Sequence, residues 1–136
     1  MKRSATAVWK GAGKDGNGVV STQSNVLSKT QYSYKSRFEN GTGTNPEELI
    51  AAAHAGCFSM KLAFVLAEAG FTAEEINTDC TITLEGTGIT SSHLVLKAKV
   101  PGIDKAKFDA AAADAKANCP VSQLLNTSIT LETTLL

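Results

Sequence analysis

Asn45-Pro46-Glu47-Glu48-Leu49-Ile50-Ala51-Ala52-Ala53-His54-Ala55-Gly56-Cys57-Phe58-Ser59-Met60-Lys61-Leu62-Ala63-Phe64-Val65-Leu66-Ala67-Glu68-Ala69-Gly70 is the stretch on which the fold turns. Asn45 is a good N-cap and Pro46 suits the first helical position. Glu47 and Glu48 fall in the first turn, where the helix dipole favours anions. The apolar run continues to Ala69, and Gly70 fits the C′ position that ends a helix. A helix this apolar on nearly all sides is expected to be enclosed by other structure. His54, Lys61 and Glu68 argue against a membrane span, so the stretch reads as a buried helix of a soluble protein.

Strand and turn signals lie on both sides of this helix. Upstream, Ala5 to Trp9 and Val19 to Thr22 read as short strands separated by the glycine-rich loop 11–18. Tyr32-Ser33-Tyr34-Lys35-Ser36-Arg37-Phe38 alternates with period two, which predicts a half-buried strand ending beside the Gly41-Thr42-Gly43-Thr44 break. Downstream, residues 77–85 and 90–100 predict two strands joined at Gly86-Thr87-Gly88. In the second, Leu94, Leu96, Ala98 and Val100 alternate with His93, Val95, Lys97 and Lys99. Asp104 to about Asn118 predicts a helix with Ile103, Phe108 and alanines facing inward. A short helix then begins near Cys119-Pro120, and residues 128–136 form a closing strand. The expectation is one α+β domain over residues 1–136.

Composition narrows the function. The 136 residues carry 13 Lys+Arg and 13 Asp+Glu, with a hydrophobic fraction of 43%. That length suits one core, and that fraction can fill it. Zero net charge removes the basic excess that nucleic-acid and membrane-surface binding need, so neither is expected as a partner. Three Cys, an odd count, fit a reducing cytoplasm better than a secreted disulfide scaffold. Residues 1–10 are too short and polar in their apolar part for a signal peptide.

Each cysteine has an ordinary structural explanation to overcome. Cys57 lies mid-helix, where a free Cys usually serves as a small core residue. Cys119 directly precedes Pro120. As an N-cap its sulfur would face free backbone N–H groups, which favour thiolate. Cys80 sits in a strand without unusual neighbours and reads as structural. His54 and His93 have nothing to separate them from packed or surface histidines. With no C-x-x-C and no paired His spacing, a metal site is not expected, and no cofactor motif is present. Arg37 is one of only two arginines among the 13 basic residues, in a chain that otherwise uses Lys. Arg suits places where a planar, permanently charged fork is needed.

Arg37-Phe38-Glu39, Gly43-Thr44-Asn45-Pro46-Glu47-Glu48-Leu49 through Met60, and Cys119-Pro120-Val121-Ser122 together resemble the OsmC/Ohr family of osmotically inducible protein C and organic hydroperoxide resistance proteins. Gly70-Phe71-Thr72 and Val100-Pro101-Gly102-Ile103-Asp104 extend the resemblance, which is nearer the OsmC branch. It implies an α+β fold of antiparallel sheets wrapped around two central helices in an intertwined homodimer, with active sites at the subunit interface. It implies a thiol-dependent peroxidase for organic hydroperoxides, in which Cys57 matches the peroxidatic cysteine and Cys119 the resolving one. Arg37 and Glu47 match the pair that activates the peroxidatic thiol, and an external lipoyl-type dithiol would be the reductant. Cys80 matches no functional position.

Phe58, Ile50, Leu62, Val121 and Leu124 are the candidates for an oily substrate pocket, although each also suits a plain core. A straight helix adds one constraint. Glu47 and Cys57 are ten residues apart, which is about 15 Å of helix rise. Either the helix breaks between them or Glu47 serves a cysteine on another subunit. Two other readings share the cysteine pair: a thiol-disulfide oxidoreductase, and a non-enzymatic redox-sensing stress protein.

Overall fold

The computed structural model describes residues 1–136, which divide into two compact units, 1–49 and 50–136. In the first unit, β1 (Ala5–Lys10), β2 (Asn17–Thr22) and β3 (Thr30–Tyr32) form an antiparallel sheet in the order β1-β2-β3. Trp9 pairs with Gly18 and Gly18 with Tyr32, so the glycine lies between two aromatic rings. A Cβ at Gly18 would come within 2.6 Å of both. Only a residue without a side chain fits there.

The strand expected over residues 32–38 is a correction. After β3 the chain enters a one-turn helix, α1 (Tyr34–Phe38). Ser33 and Ser36 form a reciprocal capping box: Ser36 N–H donates to Ser33 Oγ at 3.2 Å, and Ser33 N–H donates to Ser36 Oγ at 2.8 Å. Ser36 Oγ also donates to the Thr44 carbonyl at 2.8 Å. The alternation of aromatic and polar residues was real, but two serines three apart cap a turn more effectively than they pattern a strand. Arg37 therefore stands on a helix rather than a strand.

Helix α2 (Pro46–Glu68) starts at the end of the first unit and continues through the second without a break. Asn45 Oδ1 accepts the Glu48 N–H at 2.8 Å, as expected of the N-cap. At the other end Gly70 takes φ +89°, with Gly70 N–H on the Ala67 carbonyl and Phe71 N–H on the Leu66 carbonyl. This is a Schellman ending.

The second unit also contains β4 (Glu75–Glu85), β5 (Gly88–Lys99), α3 (Lys105–Asn118), α4 (Pro120–Leu124) and β6 (Ser128–Leu135). The sheet order is β4-β5-β6. β4 pairs antiparallel with β5, but β6 runs parallel to β5. That parallel pair departs from the purely antiparallel expectation, and helices α3 and α4 supply the long crossover it requires. The core joins Phe58, Leu62 and Leu66 of α2 to Leu94, Leu96 and Ala98 of β5 and to Phe108, Ala111, Ala112 and Ala115 of α3.

Helix α2 is not enclosed on all sides in one chain. His54, Phe58, Leu62 and Leu66, spaced by four, are its buried residues. Ala52, Ala53, Gly56, Met60, Ala63, Phe64 and Ala67 share another face and are exposed, Met60 at 65% and Phe64 at 62%. By length and composition this helix could cross a membrane. Its buried stripe instead packs as the core helix of a globular unit.

Candidate active site

In the first unit, Arg37 and Glu47 form a forked ion pair. Arg37 Nε donates to both Glu47 carboxylate oxygens, at 3.1 and 3.2 Å, and Nη2 donates to Oε1 at 2.8 Å. Glu47 occupies one edge of the guanidinium, so the Nη1 side can still face another group. The arginine side chain is 40% exposed and the glutamate 12%. A cavity of about 230 Å³ opens beside it, lined by Trp9, Tyr32, Tyr34, Arg37, Phe38 and Pro46. Its aromatic walls are paired, Trp9 with Tyr32 at 5.3 Å and Tyr34 with Phe38 at 4.8 Å between ring centroids. None of these aromatics figured among the substrate-binding candidates. They come from β1, β3 and α1, and no local sequence spacing reveals that they converge.

In the second unit, Cys57 and Cys119 are neighbours, and both are free thiols. Cys57 is half-buried on α2. Burial pushes its pKa up and the adjacent Cys119 thiol adds to this, while a hydrogen bond from the Val121 N–H pulls it down. Cys119 is wholly buried and caps α4: its Sγ accepts the Ser122 N–H at 3.3 Å and lies 3.0 Å from Ser122 Oγ. The N-cap position read from Cys119-Pro120 is therefore present.

The histidine and third cysteine differ from expectation. His54 is fully buried, with Nδ1 2.6 Å from Ser92 Oγ and Nε2 2.7 Å from Ser122 Oγ. Cys80, expected to lack unusual neighbours, has its Sγ 3.3 Å from Ser92 Oγ. Burial lowers the His54 pKa, which keeps the ring neutral. Its partners lie 38 and 68 residues away, so the sequence around His54 carries no sign of them. His93, by contrast, is a surface residue bridging Thr130 and Glu132.

The remaining pocket candidates separate by burial. Phe58 and Leu62 are fully enclosed in the core and have no surface to offer a substrate, so the role expected for them is corrected to packing. Val121 is half-buried at the N-terminal turn of α4, and its N–H meets Cys57. Leu124 is 78% exposed, and Ile50 is partly exposed on α2. Helix α2 runs unbroken from Glu47 to Cys57, about 15 Å of helix rise.

Residues 39–134 match the sequence model of the OsmC-like protein family. The chain is 48% identical over 136 residues to Peroxiredoxin OsmC of Escherichia coli (strain K12), covering 97% of this chain and 95% of that protein. Among solved structures, the OsmC like protein from Mycoplasma pneumoniae shares the fold with a TM-score of 0.74 at 14% identity, covering 100% of this chain and 98% of that one. An organic hydroperoxide resistance protein from Elizabethkingia anophelis has a TM-score of 0.70 at 25% identity, covering 99% and 95%. The α+β fold of two small sheets and a long helix is the OsmC/Ohr fold. A family match across most of the chain and a relative 48% identical over nearly all of it lead to one conclusion: the chain belongs to the OsmC family.

Proposed function

We propose that this OsmC-family chain, a cysteine-based peroxidase, reduces organic hydroperoxides to alcohols through Cys57 and Cys119. The observation that carries the proposal is the pairing of two free thiols, one half-buried on α2 and the other fully buried at the start of α4. Cys57 thiolate attacks the O–O bond, giving a Cys57 sulfenic acid and an alcohol. Cys119 then displaces hydroxide from the Cys57 sulfur. The resulting disulfide protects Cys57 from irreversible oxidation. An external dithiol of lipoyl type reopens it by exchange, and no resident cofactor is needed.

The attacking thiol needs a cation, because burial favours its protonated form. Arg37 suits this role, since its charge does not depend on a proton it could lose and Glu47 fixes its fork. About 15 Å of helix rise between Glu47 and Cys57 of one chain supports a reading in which Arg37 and Glu47 of a second copy serve each Cys57. Helix α2 supports that homodimer. Its exposed apolar face, with Met60 and Phe64 at its centre, needs a cover. By helical position Cys57 lies at the edge of this face, so a second copy seated there would also close the site over the thiol. The aromatic cavity beside Arg37 would then take the organic part of the peroxide.

Steady-state turnover of cumene hydroperoxide and hydrogen peroxide with dihydrolipoamide tests this. Wild type should turn over the organic peroxide faster, and Cys57→Ser should lose all turnover. Cys119→Ser should form the sulfenic acid but no intramolecular disulfide. Turnover that persists in Cys57→Ser rules the mechanism out.

A further inference from the structure

Five side chains form one buried hydrogen-bonded row across the second unit. Cys119 Sγ lies 3.0 Å from Ser122 Oγ, Ser122 Oγ 2.7 Å from His54 Nε2, His54 Nδ1 2.6 Å from Ser92 Oγ, and Ser92 Oγ 3.3 Å from Cys80 Sγ. His54, Ser92 and Cys119 are 0% exposed and Ser122 is 7% exposed. Every buried side-chain polar atom has a partner. A row of this kind, linked end to end between two thiols, goes beyond what packing requires. Its members come from α2, β4, β5 and α4, and they meet at one of the two cysteines proposed to react.

Resting on the peroxidase reading above, we propose that His54 is the base of the resolving step, drawing the proton of Cys119 through Ser122 as the Cys57–Cys119 disulfide forms. A thiol becomes a strong nucleophile only when its proton leaves. Cys119 is sealed from water, so the acceptor must come from the protein. As Cys119 Sγ bonds to Cys57 Sγ, its proton passes to Ser122 Oγ and the Ser122 hydroxyl proton passes to His54 Nε2. The Cys57 S–O bond breaks and its electron pair leaves with the hydroxide. The hydroxide takes up one proton to become water, equal to the one that Cys119 gives up and His54 holds in between. The step therefore conserves protons and releases one water.

The neighbours of the ring suit this role. The titratable groups facing His54 are Cys80 from β4 and Cys119 at the start of α4, with Cys57 one turn along its own helix. No carboxylate or ammonium is among its hydrogen-bond partners. Burial keeps the ring neutral and ready to accept, and makes the imidazolium a short-lived holder of the proton. When Ser92 Oγ accepts the Nδ1–H, the Nε2 lone pair faces Ser122. Ser92 can then donate to Cys80, whose pKa burial raises and this bond lowers. His54 acts through Ser122 and touches no reacting atom, so it is a positioning residue whose signature is a pH dependence.

The test is a single turnover of the full-length protein with cumene hydroperoxide. Dimedone trapping follows loss of the Cys57 sulfenic acid, and mass spectrometry follows the disulfide. In wild type the disulfide-forming phase should be nearly flat between about pH 7 and 8, because burial holds the base below its ordinary 6.5 and neutral there. In His54→Gln that phase should slow by about 10²-fold at the acid end, the scale of lost general-base assistance. It should then climb about tenfold per pH unit as unaided thiolate forms. Ser122→Ala should behave the same way, and Ser122→Thr, which keeps the hydroxyl, should restore the flat profile. If His54→Gln does not fold, the Ser122 pair and the wild-type profile decide alone. A wild-type phase rising tenfold per pH unit, or variants matching wild type, would overturn the relay while leaving the peroxidase intact. Failure of wild type to form any Cys57–Cys119 disulfide would overturn the peroxidase reading and the relay together.

Discussion

Residues 1–49 and residues 50–136 handle polar groups in opposite ways. In the first unit the Arg37–Glu47 pair is ionic and in contact with solvent, with Arg37 40% exposed beside a cavity walled by aromatic rings. In the second unit the polar groups around the thiols are uncharged and sealed: His54, Ser92 and Cys119 have no exposure, and their side-chain partners are hydroxyls, thiols and the imidazole itself. Each arrangement suits its surroundings. A permanent guanidinium is expensive to bury, so it stays near water with its carboxylate. A buried thiol is cheap while protonated and costly as an anion. The proposed chemistry brings the cation and the thiol together in a site completed by a second copy.

The largest expected effect breaks that division of labour. Arg37→Ala should slow oxidation of Cys57 by about 10²-fold, the usual loss on removing one electrostatic stabiliser. Co-folding Arg37→Ala with Cys57→Ser chains separates the two possible assemblies. Neither variant alone completes a site, but a mixed dimer whose sites draw on both chains restores one. About a quarter of wild-type activity should then return, because half the dimers are mixed and each holds one intact site. No recovery would show that each site is built from a single chain.

A second contrast concerns stability. Truncating His54→Ala removes the partner of two buried serine hydroxyls and leaves a void, a loss of about 2–4 kcal/mol in urea unfolding. Glu47→Gln breaks an ion pair whose arginine is largely solvated, so the cost should be under about 1 kcal/mol while peroxide turnover falls. Equal destabilisation by both would erase the distinction between a buried neutral network and a solvated ion pair.

The smallest effect is a pH dependence of folding. Burial lowers the His54 pKa below its ordinary 6.5, so in acid the unfolded chain takes up a proton that the folded chain resists. Stability should be full above about pH 6.5 and decline as pH falls below it. Cys57 and Cys80 have the opposite sign: both are raised from about 9.0, so stability declines as pH rises past that value. Urea midpoints across pH 5 to 10 check both limbs, and His54→Gln should flatten the acid one.

Local signals were legible wherever the deciding atoms are close in sequence. Asn45-Pro46, Gly70 and Cys119-Pro120 mark helix ends because caps are made within a few residues. The alternation in 90–100 marks a strand because one face is buried. The same logic failed at 32–38, where the Ser33–Ser36 capping box prevailed over period two. It also failed at Phe58 and Leu62, since periodicity separates inside from outside but not core from pocket. His54 and Cys80 looked ordinary because Ser92 and Ser122, which give them their setting, are remote along the chain.

The sequence by itself determined the long helix α2, helices α3 and α4, the main strands, the cysteine and arginine motifs that carry the family resemblance, and the ten-residue spacing of Glu47 and Cys57. These depend on chain geometry and on contacts spanning a few residues. Only the tertiary structure decided that Cys57 meets Cys119, that aromatic rings from three elements gather at Arg37, and that a neutral histidine links two thiols. Those are contacts between elements, and side chains come within hydrogen-bonding distance only after packing has fixed every backbone around them.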